Sequence, residues 1–122
     1  MSEILIVEDN EENYFLLAEI LSEFTVQIDR AASGKEFHAI MAQGRKYDLV
    51  LMDLMLPDSD GIELSKCLID LKRNIPIVFI SAYAERCEEI YALGVKHFIQ
   101  KPVISELFLK IVNGYTELIP AS

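Results

Sequence analysis

Short apolar runs recur five times along the chain, and between them the apolar residues fall three or four positions apart. The run EILIVE (3–8) is β-branched and short, which predicts a strand. Residues 12–24 put Tyr14, Leu17, Ala18, Leu21 and Phe24 on one helical face. TVQIDR (25–30) alternates, as a strand exposed on one side does, and so predicts an edge of the sheet. Ser33 is placed to cap a helix carrying Phe37, Ile40 and Met41, which Gly44 ends. DLVLMD (48–53) reads as a strand buried on both faces that terminates in a carboxylate.

The alternation continues. Asp60-Gly61 opens a third helix with Ile62, Ser65, Leu68 and Ile69 facing inward, and Asn74 and Pro76 separate it from a fourth strand, IVFIS (77–81). A short, mostly polar helix at about 84–93 stops at Gly94, and KHFIQ (96–100) is the fifth strand. After Pro102 a last helix carries Ile104, Leu107, Phe108, Ile111, Val112 and Tyr115, and ELIPAS closes the chain. Five βα units predict a three-layer, doubly wound α/β fold. Its strands are parallel, its crossovers right-handed, and helices cover both faces. No linker, repeat or low-complexity tract divides the sequence, so residues 1–122 are expected to form one domain.

Bulk properties narrow the function. Twenty acidic residues against 11 basic ones give a net charge of -9, the wrong sign for sequence-independent nucleic-acid binding. Hydrophobic residues at 52% and charged residues at 25% describe an ordinary globular chain. The N-terminus, MSEILIVEDN, has no basic region followed by a long apolar core, and no apolar stretch approaches the ~20 residues of a membrane span. Cys67 and Cys87 form no CxxC pair and no zinc spacing; they read as small buried hydrophobes in a reducing cytosol, so a cytoplasmic location is expected.

In an open parallel sheet, ligands sit beyond the carboxyl ends of the strands. The residues there are Glu8-Asp9, Asp53, Ser81-Ala82 and Lys101-Pro102. Three carboxylates gathered at one edge repel each other, and stay ionised near neutrality only beside a cation; otherwise one of them takes a raised pKa. Mg²⁺ suits such a set, taking one or two carboxylates together with waters and phosphate oxygens. Lys101 adds a point charge for a phosphoryl oxygen, and the Ser81 hydroxyl a donor. A carboxylate nucleophile, a hard cation, a hydroxyl and a lysine are the parts needed to move a phosphoryl group onto Asp53.

With these residues in place, the sequence resembles the receiver domains of two-component response regulators, over nearly its whole length. The likeness rests on ILIVEDNEEN, DLVLMDLMLPDSDG, IVFISA and HFIQKP, in that order and spacing. It implies a flavodoxin-like sheet of order 2-1-3-4-5. It further implies that Asp53 accepts the phosphoryl group; that Asp9, Glu8, Asp53 and the Met55 backbone carbonyl hold Mg²⁺ (or Mn²⁺); and that Lys101 pairs with the phosphoryl group. Ser81 and Phe98 take the positions of the switch pair, and the Lys101–Pro102 bond matches one that is cis in the family. The partners implied are a sensor histidine kinase or histidine phosphotransfer domain, and a downstream protein reached through the surface of the fourth helix, fifth strand and fifth helix. Such a protein is no enzyme, although it assists its own phosphorylation and slow dephosphorylation. Leu56 and Val95 depart from the usual Met and Ala, and Phe98 lacks a tyrosine hydroxyl.

Blander readings stand beside these. Glu8-Asp9 would also serve the first helix, since acids favour helix N-termini. Asp58 and Asp60 read as a turn and a cap without chemistry. His38 and His97 match no metal or triad spacing, and the charges at Glu85, Arg86, Glu88 and Glu89 read as a solvated helix face. Two alternatives compete on the same fold. An aspartyl-phosphate phosphatase commonly carries a second acid two residues past its nucleophile, where this chain has Met55. An unphosphorylated docking module would be expected to have lost one of Asp9, Asp53 or Lys101. A nucleotide or flavin module lacks support, because no GxGxxG or GxxxxGK[ST] loop is present.

Overall fold

The computed structural model describes residues 1–70 and 74–121. The last residue of the expected domain, Ser122, lies outside the described residues. Strands β1 (Ser2–Val7), β2 (Val26–Ala31), β3 (Leu49–Met52), β4 (Ile77–Ser81) and β5 (His97–Gln100) alternate with helices. The helices are α1 (Glu11–Leu21), α2 (Gly34–Ala42), α3 (Gly61–Asp70), α4 (Cys87–Ala92) and α5 (Ser105–Tyr115), and a 3-10 turn at Ala84–Arg86 leads into α4. All pairings are parallel and the order is β2-β1-β3-β4-β5, with β2 at an edge as its alternation predicts.

Side chains alternate across the sheet with the period of two that strands impose. Leu5, Val7, Val50, Met52, Ile77 and Phe79 point to the face covered by α2, α3 and α4. Ile4, Ile6, Leu49, Leu51, Val78 and Ile80 point to the face covered by α1 and α5, against Leu17, Leu21, Phe108 and Val112. Every residue of β3 and β4 is buried, which is why these strands read as continuous apolar runs. Among the described residues, no helix is long and apolar enough to cross a membrane.

Local signals explain the element ends. Asn10 Oδ1 accepts from the Asn13 amide and Ser33 Oγ from the Glu36 amide, the N-caps of α1 and α2. Helices α2 and α4 run out into Gly44 and Gly94, both with positive φ. Four expected inward residues differ. Helix α1 ends at Leu21, and Phe24 instead makes an antiparallel bridge to Pro120. In α3 the buried stripe runs through Ile62, Leu64, Ser65 and Leu68, so Ile69 falls off its edge and is exposed. Ile104 precedes α5 in extended conformation, outside the helical period, and Leu107 lies one residue, about a quarter-turn, from buried Phe108; both are exposed.

Candidate functional site at the carboxyl edge of the sheet

The site forms where β1, β3, β4 and β5 end. Pairing of Val7 with Met52 sets the next residues, Glu8 and Asp53, side by side, and the Asp53 amide bonds the Val7 carbonyl at 2.9 Å. At the far side, Ser81 pairs with Gln100 and its carbonyl accepts from the Lys101 amide at 3.0 Å. The Lys101–Pro102 peptide bond is cis.

Four charged side chains converge. Carboxylate oxygens of Glu8, Asp9 and Asp53 lie within 4.8 Å of one another. Lys101 Nζ donates to Glu8 Oε1 at 2.8 Å and stands 3.7 Å from Asp53 Oδ2. Asp53 Oδ1 also accepts from the Leu54 amide at 2.8 Å, and Glu8 Oε2 from the Asn10 amide at 3.3 Å. Glu8 is almost fully buried, whereas Asp9 is exposed.

Electrostatics follow from this crowding. Burial, then the neighbouring Glu8 carboxylate, push the Asp53 carboxyl up to about 7, against the pull of Lys101. Burial also pushes Glu8 up, but its bonds to Asp53 and Lys101 outweigh that and hold it below the usual carboxylate range. Of the two neighbouring carboxyls, Asp53 therefore takes up a proton more readily, and Glu8 stays ionised toward the lysine. One ammonium cannot neutralise three acids, so the donor set fits a small hard cation bound through oxygen.

The loop after Asp53 is tightly folded. Gly61 donates to the Leu54 carbonyl at 2.7 Å, and a Cβ at Gly61 would collide with the Asp53 carbonyl oxygen. Met55 makes an antiparallel bridge to Asp60. At the other rim, Ser81 is fully buried and its Oγ accepts from the Tyr83 amide at 3.1 Å. Phe98 is half-buried against the α2–α4 core. Met55 and Tyr83, in the segments that follow Asp53 and Ser81, are 54% and 45% exposed.

Several residues assigned no chemistry in the sequence turn out to fix this edge. Asp58 is more than a local turn: its carboxylate accepts from the Gly34 and Lys35 amides at 2.7 and 3.0 Å and caps α2 from a distant loop. Those amides hold its carboxyl below the ordinary range. Arg86 does not lie on a merely solvated face, since it donates to Asp60 Oδ2 at 2.7 Å and to Glu89 Oε2 at 2.8 Å. Asp60 in turn accepts from the Ile62 amide, the expected cap. Arg30, at the end of β2, reaches the Glu8 and Asp9 carbonyls. The parallel pairing of the first two strands was the available signal for Arg30; the other two contacts span loops that periodicity does not describe.

A model of the response regulator receiver domain matches residues 4–113. The chain belongs to this family. The polar-differentiation response regulator DivK of Brucella ovis is 33% identical over 116 residues, covering 92% of this receiver domain's chain and 94% of its own length. Among solved structures, a CheY-like response regulator receiver domain protein from Methanospirillum hungatei superposes with a TM-score of 0.85 at 26% identity, covering 93% of this chain and 92% of that one. A two-component response regulator from Clostridium difficile gives 0.86 at 25% identity, with 94% and 95% covered. Receiver domains are signalling modules, and the acidic cluster lies where the strand order of this one places a ligand.

Proposed function

We propose that this receiver domain is a phosphorylation switch in which Asp53 accepts a phosphoryl group from a phosphohistidine on a sensor kinase or histidine phosphotransfer domain. The observation that carries this reading is the convergence of Glu8, Asp9 and Asp53 opposite Lys101 Nζ. Asp9, Asp53 and the Met55 carbonyl would hold Mg²⁺, with Glu8 beside them. When bound, the ion would neutralise the acids and the incoming phosphoryl oxygens.

The protein's own residues supply the rest. An ionised Asp53 oxygen attacks phosphorus as the bond to the donor imidazole nitrogen breaks, and the imidazole retains the electron pair and takes a proton. Lys101, now 2.8 Å from Glu8, turns its charge to a phosphoryl oxygen. Ser81 exchanges the Tyr83 amide for the new anion, drawing the β4–α4 segment inward. Phe98 is half-buried on β5, free to pack further in as that segment moves. The resulting surface of α4, β5 and α5 then binds a downstream protein differently in the two states, which is the condition for a population shift. Turnover on an external substrate is disfavoured, because Met55 supplies no second acid. The reading places the domain in the cytoplasm and gives it no direct nucleic-acid or membrane partner.

Intact mass after acetyl phosphate treatment, with and without Mg²⁺, tests the proposal. A Mg²⁺-dependent phosphoryl adduct that Asp53→Asn abolishes is expected. An adduct persisting in that variant, or none in the wild type, overturns it.

A further inference from the structure

Where β1 ends, its ladder with β2 ends too: the Glu8 amide bonds the Ala31 carbonyl at 3.0 Å as the last such bond. The carbonyls of Glu8 and Asp9 run on past the strand, and the side chain of Arg30 meets both. Its Nε donates to the Glu8 carbonyl at 3.2 Å and its Nη2 to the Asp9 carbonyl at 3.1 Å. The same guanidinium lies over the ring of Tyr14, 4.8 Å from its centroid, in the second turn of α1. Among the described residues, Arg30 makes no ion pair with a carboxylate. It grips the two acidic residues by their backbone and leaves their side-chain oxygens to face Asp53.

We infer that Arg30 is a positioning residue for divalent-cation binding: its planar fork fixes the Glu8 and Asp9 peptide groups and thereby aims both carboxylates into the site. A lysine at this position offers a single nitrogen and cannot span two successive carbonyls in fixed geometry. Groups that orient metal ligands from behind typically matter about 10-fold or more in affinity. This inference rests on the proposed Mg²⁺ reading of the site.

The sign of the effect separates geometry from charge. Arg30 is a cation near a cation site, so removing its charge alone would tighten binding. Loss of aim weakens it. Mn²⁺ affinity is measured directly, from the free Mn²⁺ resonance in electron paramagnetic resonance titrations of the phosphate-free protein. Thermal midpoints in EDTA serve as the fold control. Arg30→Gln removes charge and fork; Arg30→Lys keeps charge and loses the fork. Both are expected to bind Mn²⁺ about 10-fold more weakly than wild type, with little change in midpoint, because Arg30 sits on an edge strand. Wild-type affinity, or tighter binding, in both variants overturns the inference and leaves the function intact. Weakening in Arg30→Gln but not in Arg30→Lys overturns it as well, because a lysine without the fork would then suffice. A wild type that takes up no Mn²⁺ sinks the metal reading itself, and this inference with it.

Discussion

Lys101 is bonded to Glu8 and not to Asp53: Nζ lies 2.8 Å from the glutamate oxygen and 3.7 Å from the aspartate oxygen. The lysine charge is spent on the buried acid, and Asp53 is left to hold a proton near neutrality.

That arrangement makes metal-free stability depend on pH. Asp53 has a folded pKa raised to about 7 from an ordinary 3.8. Between those values the native state binds the extra proton, so stability falls as pH rises through this window and is lowest above it. Asp53→Asn, which cannot ionise, should therefore be more stable than wild type in EDTA at pH 8, by on the order of 1–3 kcal/mol, and melt at a higher temperature, with the gain shrinking toward pH 4. Saturating Mg²⁺ should flatten the wild-type profile, because the ion replaces the proton. Calorimetric melts across pH 4–8 check both points; a gain that ignores pH contradicts the raised Asp53 carboxyl.

The rims of the site should set how long the phosphoryl group survives. Met55, two residues past Asp53, and Tyr83, two past Ser81, are bulky and half-exposed. Met55→Asn and Tyr83→Ala open a path for water and should each speed loss of the phosphoryl group, about tenfold if the barrier falls by ~1.4 kcal/mol. Decay of the adduct followed by intact mass reads this directly, and unchanged rates in both variants would remove the idea.

Gly61 is required by close approach. A methyl group there meets the Asp53 carbonyl, which is backbone and cannot swing aside. Gly61→Ala should destabilise the fold by about 1–3 kcal/mol, the usual cost of overpacking. It should also lower phosphorylation, since the displaced segment carries Asp53. Urea unfolding alongside the acetyl phosphate reaction tests the pair of effects.

Arg86 ties the β4–α4 segment to the start of α3. Arg86→Ala should cost up to about 1 kcal/mol, as partly exposed ion pairs do. Amide exchange in α4 should quicken while α1 is unaffected. Equal change in both helices would mean that the bond with Asp60 has no local role.

The strands and the acids at their tips were legible because sheet geometry has a fixed period: once strands are parallel, their last residues must share an edge. Glu8, Asp9, Asp53 and Lys101 came together for that reason. Ile69, Ile104 and Leu107 were misplaced because a helical stripe is narrower than its list of apolar residues, and because Ile104 is not yet in the helix. The contacts of Asp58 and Arg86 were not legible because their partners lie across loops, where sequence distance says nothing about spatial distance.

The loop that follows Asp53 is moored at two points, through Asp58 to the first turn of α2 and through Asp60 to Arg86. A backbone shift that starts at Asp53, the proposed phosphoacceptor, has a mechanical route to both flanking helices before any core side chain repacks. Asp58 and Asp60 thus act as a yoke, and cutting one arm should leave a signal that still arrives on the other side.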